Sequence, residues 1–307
     1  MKKVLKVLFS VALAVLALWV IFVAAERTEK GREIISRLRD GINGTEGSYD
    51  ISAASMFDPD FEIKTDDVGR YCPGTDVKRL DIRVGSCTFE TRASENDMFY
   101  VEARRAQKFQ GYVKEGTLYL KASGGAGSWD KMAGSRIILY IPEGFCFEEA
   151  EIEMGAGVMQ LSEISVDGVL SLEVGAGQLT AEQLIGEEMN LTVGAGQMEL
   201  QALQTQRLTA KVGMGELAAA GEVLQSGSVE CSMGNLELEL AGSEREYNYS
   251  VDCVMGSIDL AEESFSGFSN KKTIENGALK QLAVKCVMGN ITVRFQKGTA
   301  VTDIFQR

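Results

Sequence analysis

Glu153 and Glu173 occupy the same place in two near-identical motifs, EMGAGV and EVGAGQ. If such motifs lie on neighbouring strands, their carboxylates sit about 5 Å apart, the separation that a retaining glycosidase uses for its acid and its nucleophile. A sugar site of that kind needs aromatic platforms, and the only tryptophans are Trp19 and Trp129. A solvated charged face accounts for the pair. No catalytic residue, cofactor-binding residue, cofactor or metal ligand is assigned on this basis, and enzymatic activity is not expected.

Other reactive residue types are narrowed quickly. The 307 residues contain no histidine, which removes His-based triads, His-ligated zinc and imidazole bases. The six cysteines are Cys72, Cys87, Cys146, Cys231, Cys253 and Cys286. They form no CxxC pair, so a zinc ribbon has no support. A disulfide from Cys72 to Cys87 or Cys146 stays open. Gly-x-Gly resembles a phosphate loop, but such loops carry a third glycine and run into a helix, whereas strand-like sequence follows here. Calcium solenoids need GGxGxD, and the aspartate is missing. The N-x-S/T triplets at Asn43, Asn190, Asn248 and Asn290 are read as chance.

The glycine motifs themselves recur. VGAGQ stands at 174–178 and again at 193–197, with near-copies MGAGV at Met154 and VGMGE at Val212. Aligned on their second glycine, Gly157, Gly177, Gly196 and Gly215 are joined by Gly234, Gly256 and Gly289, at steps of 20, 19, 19, 19, 22 and 33 residues. Insertions sit around 243–248 and 261–282. Five residues before the glycine stand Ile152, Leu172, Leu191, Ala210, Val229, Val251 and Val284. Three before it stand Met154, Val174, Val193, Val212, Cys231, Cys253 and Cys286. The position just before it holds Ala156, Ala176, Ala195, Met214, Met233, Met255 and Met288. Two and four residues after it the chain is again apolar, from Met159 and Leu161 to Ile291 and Val293.

Period-two alternation means strand. The inward set runs −5, −3, −1, +2, +4, so the parity slips across the glycine, as at a bulge or corner where glycine tolerates the dihedrals. The sequence therefore predicts an all-β fold: a single-stranded β-solenoid (β-helix) of roughly 19–20-residue coils, preceded by one N-terminal transmembrane helix. Equivalent residues stack about 4.8 Å apart, and only the stack makes a core. The cysteine and methionine columns are read as core filler rather than as metal, redox or copper sites. VKRLDIRVGSCTFETRA (77–93) fits the same template, with Gly85 and Cys87 at the two glycine positions.

Around this ladder the organisation follows. Residues 1–25 are a membrane anchor or signal segment, since Val7 to Ala25 form 19 residues without a charge, enough to span a bilayer. Residues 26–48 are a charged juxtamembrane helix and linker. Residues 49–307 are the solenoid domain: irregular N-terminal coils over 49–150, regular Gly-marked coils over 151–295, and a C-terminal cap over 296–307. Lys2, Lys3 and Lys6 argue for an exported C-terminal domain, whereas the basic residues after the segment argue against it. The net charge is −13, which repels phosphate backbones, so no nucleic-acid partner is expected.

LDIRVGSCTFETRA, the strand-Pro element IILYIPEG and the run EIEMGAGVMQL…SLEVGAGQLTAEQL…NLTVGAGQMEL together resemble a bacterial family of β-strand-repeat "putative adhesin" proteins, a domain of unknown function associated with the envelope. The resemblance covers roughly residues 75–295. It implies a β-solenoid behind an anchor or signal and supplies no catalytic residue.

The expected function is that of a single-pass membrane protein whose extracytoplasmic solenoid has a structural, adhesion-like or partner-binding role. Its expected partners are the lipid bilayer, through residues 7–25, and a protein or an envelope polymer. A regulatory module in envelope-stress signalling and a carbohydrate-active β-helix enzyme are the alternatives.

Overall fold

Alternating apolar and polar residues over stretches such as the 16-residue segment Gln178–Val193 force long strands whose alternate side chains enter a shared interior. The computed structural model describes residues 70–71, 76–95, 97–104, 109–122, 135–267 and 269–296. The chain divides into two units, residues 1–44 and 45–307, and every described residue belongs to the second. The expected transmembrane helix and juxtamembrane segment lie outside the described residues. So do residues 297–307, nearly all of the expected C-terminal cap. Among the described residues no helix is long and apolar enough to cross a membrane.

The strands of the described residues join one 19-stranded sheet. In chain order they are β1 (Arg70–Tyr71), β2 (Arg79–Ser94), β3 (Tyr100–Arg104), β4 (Phe109–Lys114), β5 (Thr117–Ala122), β6 (Arg136–Pro142), β7 (Cys146–Phe147), β8 (Glu149–Val166), β9 (Val169–Val174) and β10 (Gln178–Val193). They continue with β11 (Gln197–Val212), β12 (Glu216–Cys231), β13 (Asn235–Ala241), β14 (Tyr247–Cys253), β15 (Ser257–Leu260), β16 (Glu263–Ser266), β17 (Asn270–Ile274), β18 (Lys280–Cys286) and β19 (Asn290–Gln296). The fold is all-β and solenoid-like.

In the regular middle each coil lies parallel on the next and in register, apart from a bulge between β11 and β12 at residues 200–207. Val193 pairs with Val212 and Gln178 with Gln197, and Val212 pairs with Cys231. Val174, Val193 and Val212 are fully buried in one continuous core. The columns at −5, −3, +2 and +4 are buried throughout.

The −1 column differs from expectation. Met214, Met233 and Met288 are 64%, 43% and 39% exposed, and Ala176 and Ala195 are exposed too. In every coil after the first, the bend occupies positions −2, −1 and 0, so parity slips before the glycine and the glycine itself turns inward, whereas Gly157 stays within β8 and is exposed. The reason is steric. A Cβ on Gly215 would lie 2.2 Å from the Gly196 carbonyl oxygen and 2.8 Å from Val193 Cγ1. Each corner glycine lies over the corner glycine of the neighbouring coil, and close approach selects it. Only Gly157 of this column has a left-handed φ, +112°, so the dihedral explanation holds there and not in the other coils.

The stacking order at both ends departs from the chain order. β2 lies between β5 and β8 over its first half, and between β6 and β8 over its second. Strands β3 to β6 therefore lie outside β2, although they follow it in the chain. At the other end β18 lies between β12 and β14, and β19 lies between β13 and β15. The column expected as Cys231, Cys253, Cys286 is thus ordered Cys231, Cys286, Cys253 in space. Antiparallel strands then cover the open edges: β4 on β5, β3 on β6, β17 on β14 and β16 on β15. Such cover blunts a parallel edge that would otherwise template further pairing.

Candidate functional site

The outward side chains follow from the same register and form straight rows across the sheet. One row runs Lys121, Arg83, Glu153, Glu173, Thr192, Lys211, Glu230, Lys285, Asp252 and Lys271. Threading β18 between β12 and β14 sets Lys285 between two acids that chain order would make neighbours. Lys285 Nζ lies 2.6 Å from Glu230, and Lys271 Nζ lies 3.3 Å from Asp252.

The predicted carboxylate pair is brought together. Glu153 and Glu173 are register partners on β8 and β9 and both are half-buried. Burial pushes both carboxyls above the usual glutamate range; the Arg83 guanidinium works against this and the Glu151 carboxylate adds to it. Arg83 donates to Asp81 at 3.0 Å and to Glu151 at 3.2 Å. Asp81, Glu151, Glu153 and Glu173 thus surround one guanidinium on the outward face of the sheet. The shallow depressions of about 210 and 240 Å³ lie on the other half of the coils, where Ala218 and Ala220 leave space beside Glu199, Glu237 and Arg294. The acid pair and these depressions do not coincide.

The cysteines divide by position. Cys231, Cys286 and Cys253 are fully buried, and their thiols donate to the carbonyls of Gly234, Gly289 and Gly256 at 3.1, 3.0 and 3.2 Å. Burial pushes the Cys231 thiol to about 11. It pushes the Cys286 thiol to about 12, with Cys231 and Cys253 adding to the rise. These are core thiols in their protonated form. Cys87 is buried and Cys146 exposed, both with free thiols; Cys72 lies outside the described residues. Among the described residues no three His, Cys, Asp or Glu side chains converge as metal ligands.

The Asn248 and Asn290 side chains are occupied within the fold. Asn248 donates to the Ala278 carbonyl and accepts from the Asn276 and Ala278 amides. Asn290 bridges Asn235 and Ser257, at 3.0 and 2.8 Å.

Sequence reasoning found the methionine row but placed it in the core, and it missed the alanine-floored depression. A signal was present for the depression, where Ala218 and Ala220 interrupt rows of glutamate and glutamine; the −1 column, alanine in three coils and then methionine in four, carries no sign of which way it faces.

No curated protein matches the chain. Among solved structures it is similar to a "putative cell adhesion protein" from Clostridium sporogenes ATCC 15579, at 14% identity and a TM-score of 0.32, over 74% of this chain and 98% of that one. It is also similar to a "putative adhesin" from Bacteroides fragilis NCTC 9343, at 12% identity and a TM-score of 0.38, over 73% and 94%. The Toastrack DUF4097 model matches residues 77–294, nearly the 75–295 span of the resemblance seen in the sequence, and the chain belongs to that family.

Proposed function

We propose that this chain is a membrane-anchored, extracytoplasmic binding scaffold that holds a protein or an envelope polymer without turning it over. The observation that carries this reading is the in-register stacking of β8 to β12. It converts single outward residues into rows with the period of the strand spacing. Rows such as Gln178, Gln197, Glu216 and Asn235 offer many weak contacts to an extended partner, where a catalytic centre needs a few convergent groups in a cleft. The uncharged run of residues 7–25 is the proposed anchor.

A photo-crosslinker at Glu199, Gln201 or Glu237, all exposed on the same half of the coils, tests this in the native envelope. The expected result is one shared crosslinked component from all three positions, and much less of it from Leu279, which is 98% exposed in the loop between β17 and β18. Equal yield from Leu279 refutes the scaffold reading. Protease accessibility in intact cells checks the orientation.

A further inference from the structure

We propose that the row Met214, Met233, Met288 and Met255 binds a soft monovalent metal ion of the copper(I) class. The four residues hold the same corner position in successive coils. Their register is pinned on both sides, by Val212↔Cys231, Cys231↔Cys286 and Cys286↔Cys253 before the corner. After it, the pairs Glu216↔Asn235, Asn235↔Asn290 and Asn290↔Ser257 do the same. The corner backbones are tied as well. The Met233 amide donates to the Gly213 carbonyl at 2.8 Å, Met288 to Ser232 at 2.7 Å and Met255 to Val287 at 2.7 Å. Four thioethers therefore leave the sheet in one line, spaced by about 4.8 Å at the backbone.

Packing does not explain three of these side chains: Met214, Met233 and Met288 are 64%, 43% and 39% exposed, and Met255 at the end of the row is half-buried. The first coils place Ala156, Ala176 and Ala195 at the same position, so the corner itself requires nothing larger than alanine. An apolar ridge made for docking would be served equally by leucine. What methionine adds is a neutral, polarisable sulfur, the donor that selects copper(I) over hard cations. Three rotatable bonds per side chain let neighbouring sulfurs close the short distance to a shared ion. The net charge of −13 draws cations to the surface. The cysteine thiols of the same coils face the interior and are bonded to glycine carbonyls, so the thioethers alone form the accessible sulfur site.

The test uses the full chain in detergent, with accessible thiols alkylated, titrated with copper(I) without oxygen and with silver(I) as a redox-inert probe. The expected result is saturable uptake with shifts of the ε-methyl resonances of these four methionines. In the combined variant Met214→Leu, Met233→Leu, Met288→Leu, which keeps the apolar bulk, affinity falls about tenfold or more. The combined variant Cys231→Val, Cys253→Val, Cys286→Val, with the valine that neighbouring coils already carry, binds as the parent does. Absence of uptake by the parent, undiminished uptake by the leucine variant, or loss of uptake in the valine variant would each overturn the proposal.

Discussion

The middle of the ladder and its two ends solve the same problem differently. From β8 to β12 each coil rests on the one before it in the chain, and the interior is aliphatic. No aromatic residue occurs between Phe147 and Tyr247. A stack of identical coils has a fixed interior width, and Leu, Val, Ala and Met fill it without strain. At the ends the pattern opens and rings enter. Phe99, Phe145 and Phe147 pack edge to face at one end, with centroids 4.8 and 4.9 Å apart. Tyr247, Tyr249 and Phe295 pack at the other, where the Tyr247 hydroxyl donates to the buried Val223 carbonyl at 2.9 Å. The ends also abandon chain order and finish in antiparallel strands. Repetition makes the middle uniform, whereas closure of the ladder demands irregular sequence.

The largest expected effect that sharpens this contrast is at the corner glycines. Gly215→Ala forces a methyl to 2.2 Å from the Gly196 carbonyl oxygen, in backbone that cannot yield, and should destabilise by about 3 kcal/mol or more. Gly277→Ala, in the loop of the far end, meets nothing within 4 Å and carries only the strain of φ +68°, about 1 kcal/mol. Paired denaturant titrations measure the ratio, and equal losses would break the distinction between middle and end.

A smaller effect probes the threaded order. Lys285→Glu would set three acids in sequence across β12, β18 and β14. A loss of at most about 1 kcal/mol is expected for this partly exposed row, shrinking at high salt. Insensitivity to salt would argue that the order of coils owes nothing to this row.

The smallest effect concerns Glu153 and Glu173. Their folded carboxyls bind protons more tightly than the unfolded chain does, first because of burial. The carboxylate form is therefore the less stable one in the fold, and stability falls as pH rises through and above the glutamate range. Glu153→Gln should raise Tm at neutral pH and leave it unchanged below about pH 4. A lowered Tm at neutral pH would mean that Arg83 outweighs the burial.

Much of the middle was legible before any coordinates. Strand periodicity is a local property, and the equal steps between glycine motifs place Val174, Val193 and Val212 in one buried column. The carboxylate pair was legible for the same reason, as two equivalent positions one coil apart. The methionine row was not. A bend three residues long shifts the parity at −2 or at 0 with equal plausibility in one dimension, and only the contact between neighbouring glycines decides it.

The amino-acid sequence by itself determined that these segments are strands, that they repeat, and which alternate residues avoid water, because each of these follows from chemistry within a few neighbouring positions. Tertiary structure alone decided the order in which the coils lie, which side of the corner faces solvent, and where the ladder stops. Those depend on long-range pairing, where Lys285 separates Glu230 from Asp252 and β17 closes an edge. A local pattern is blind to which of several similar strands becomes its neighbour.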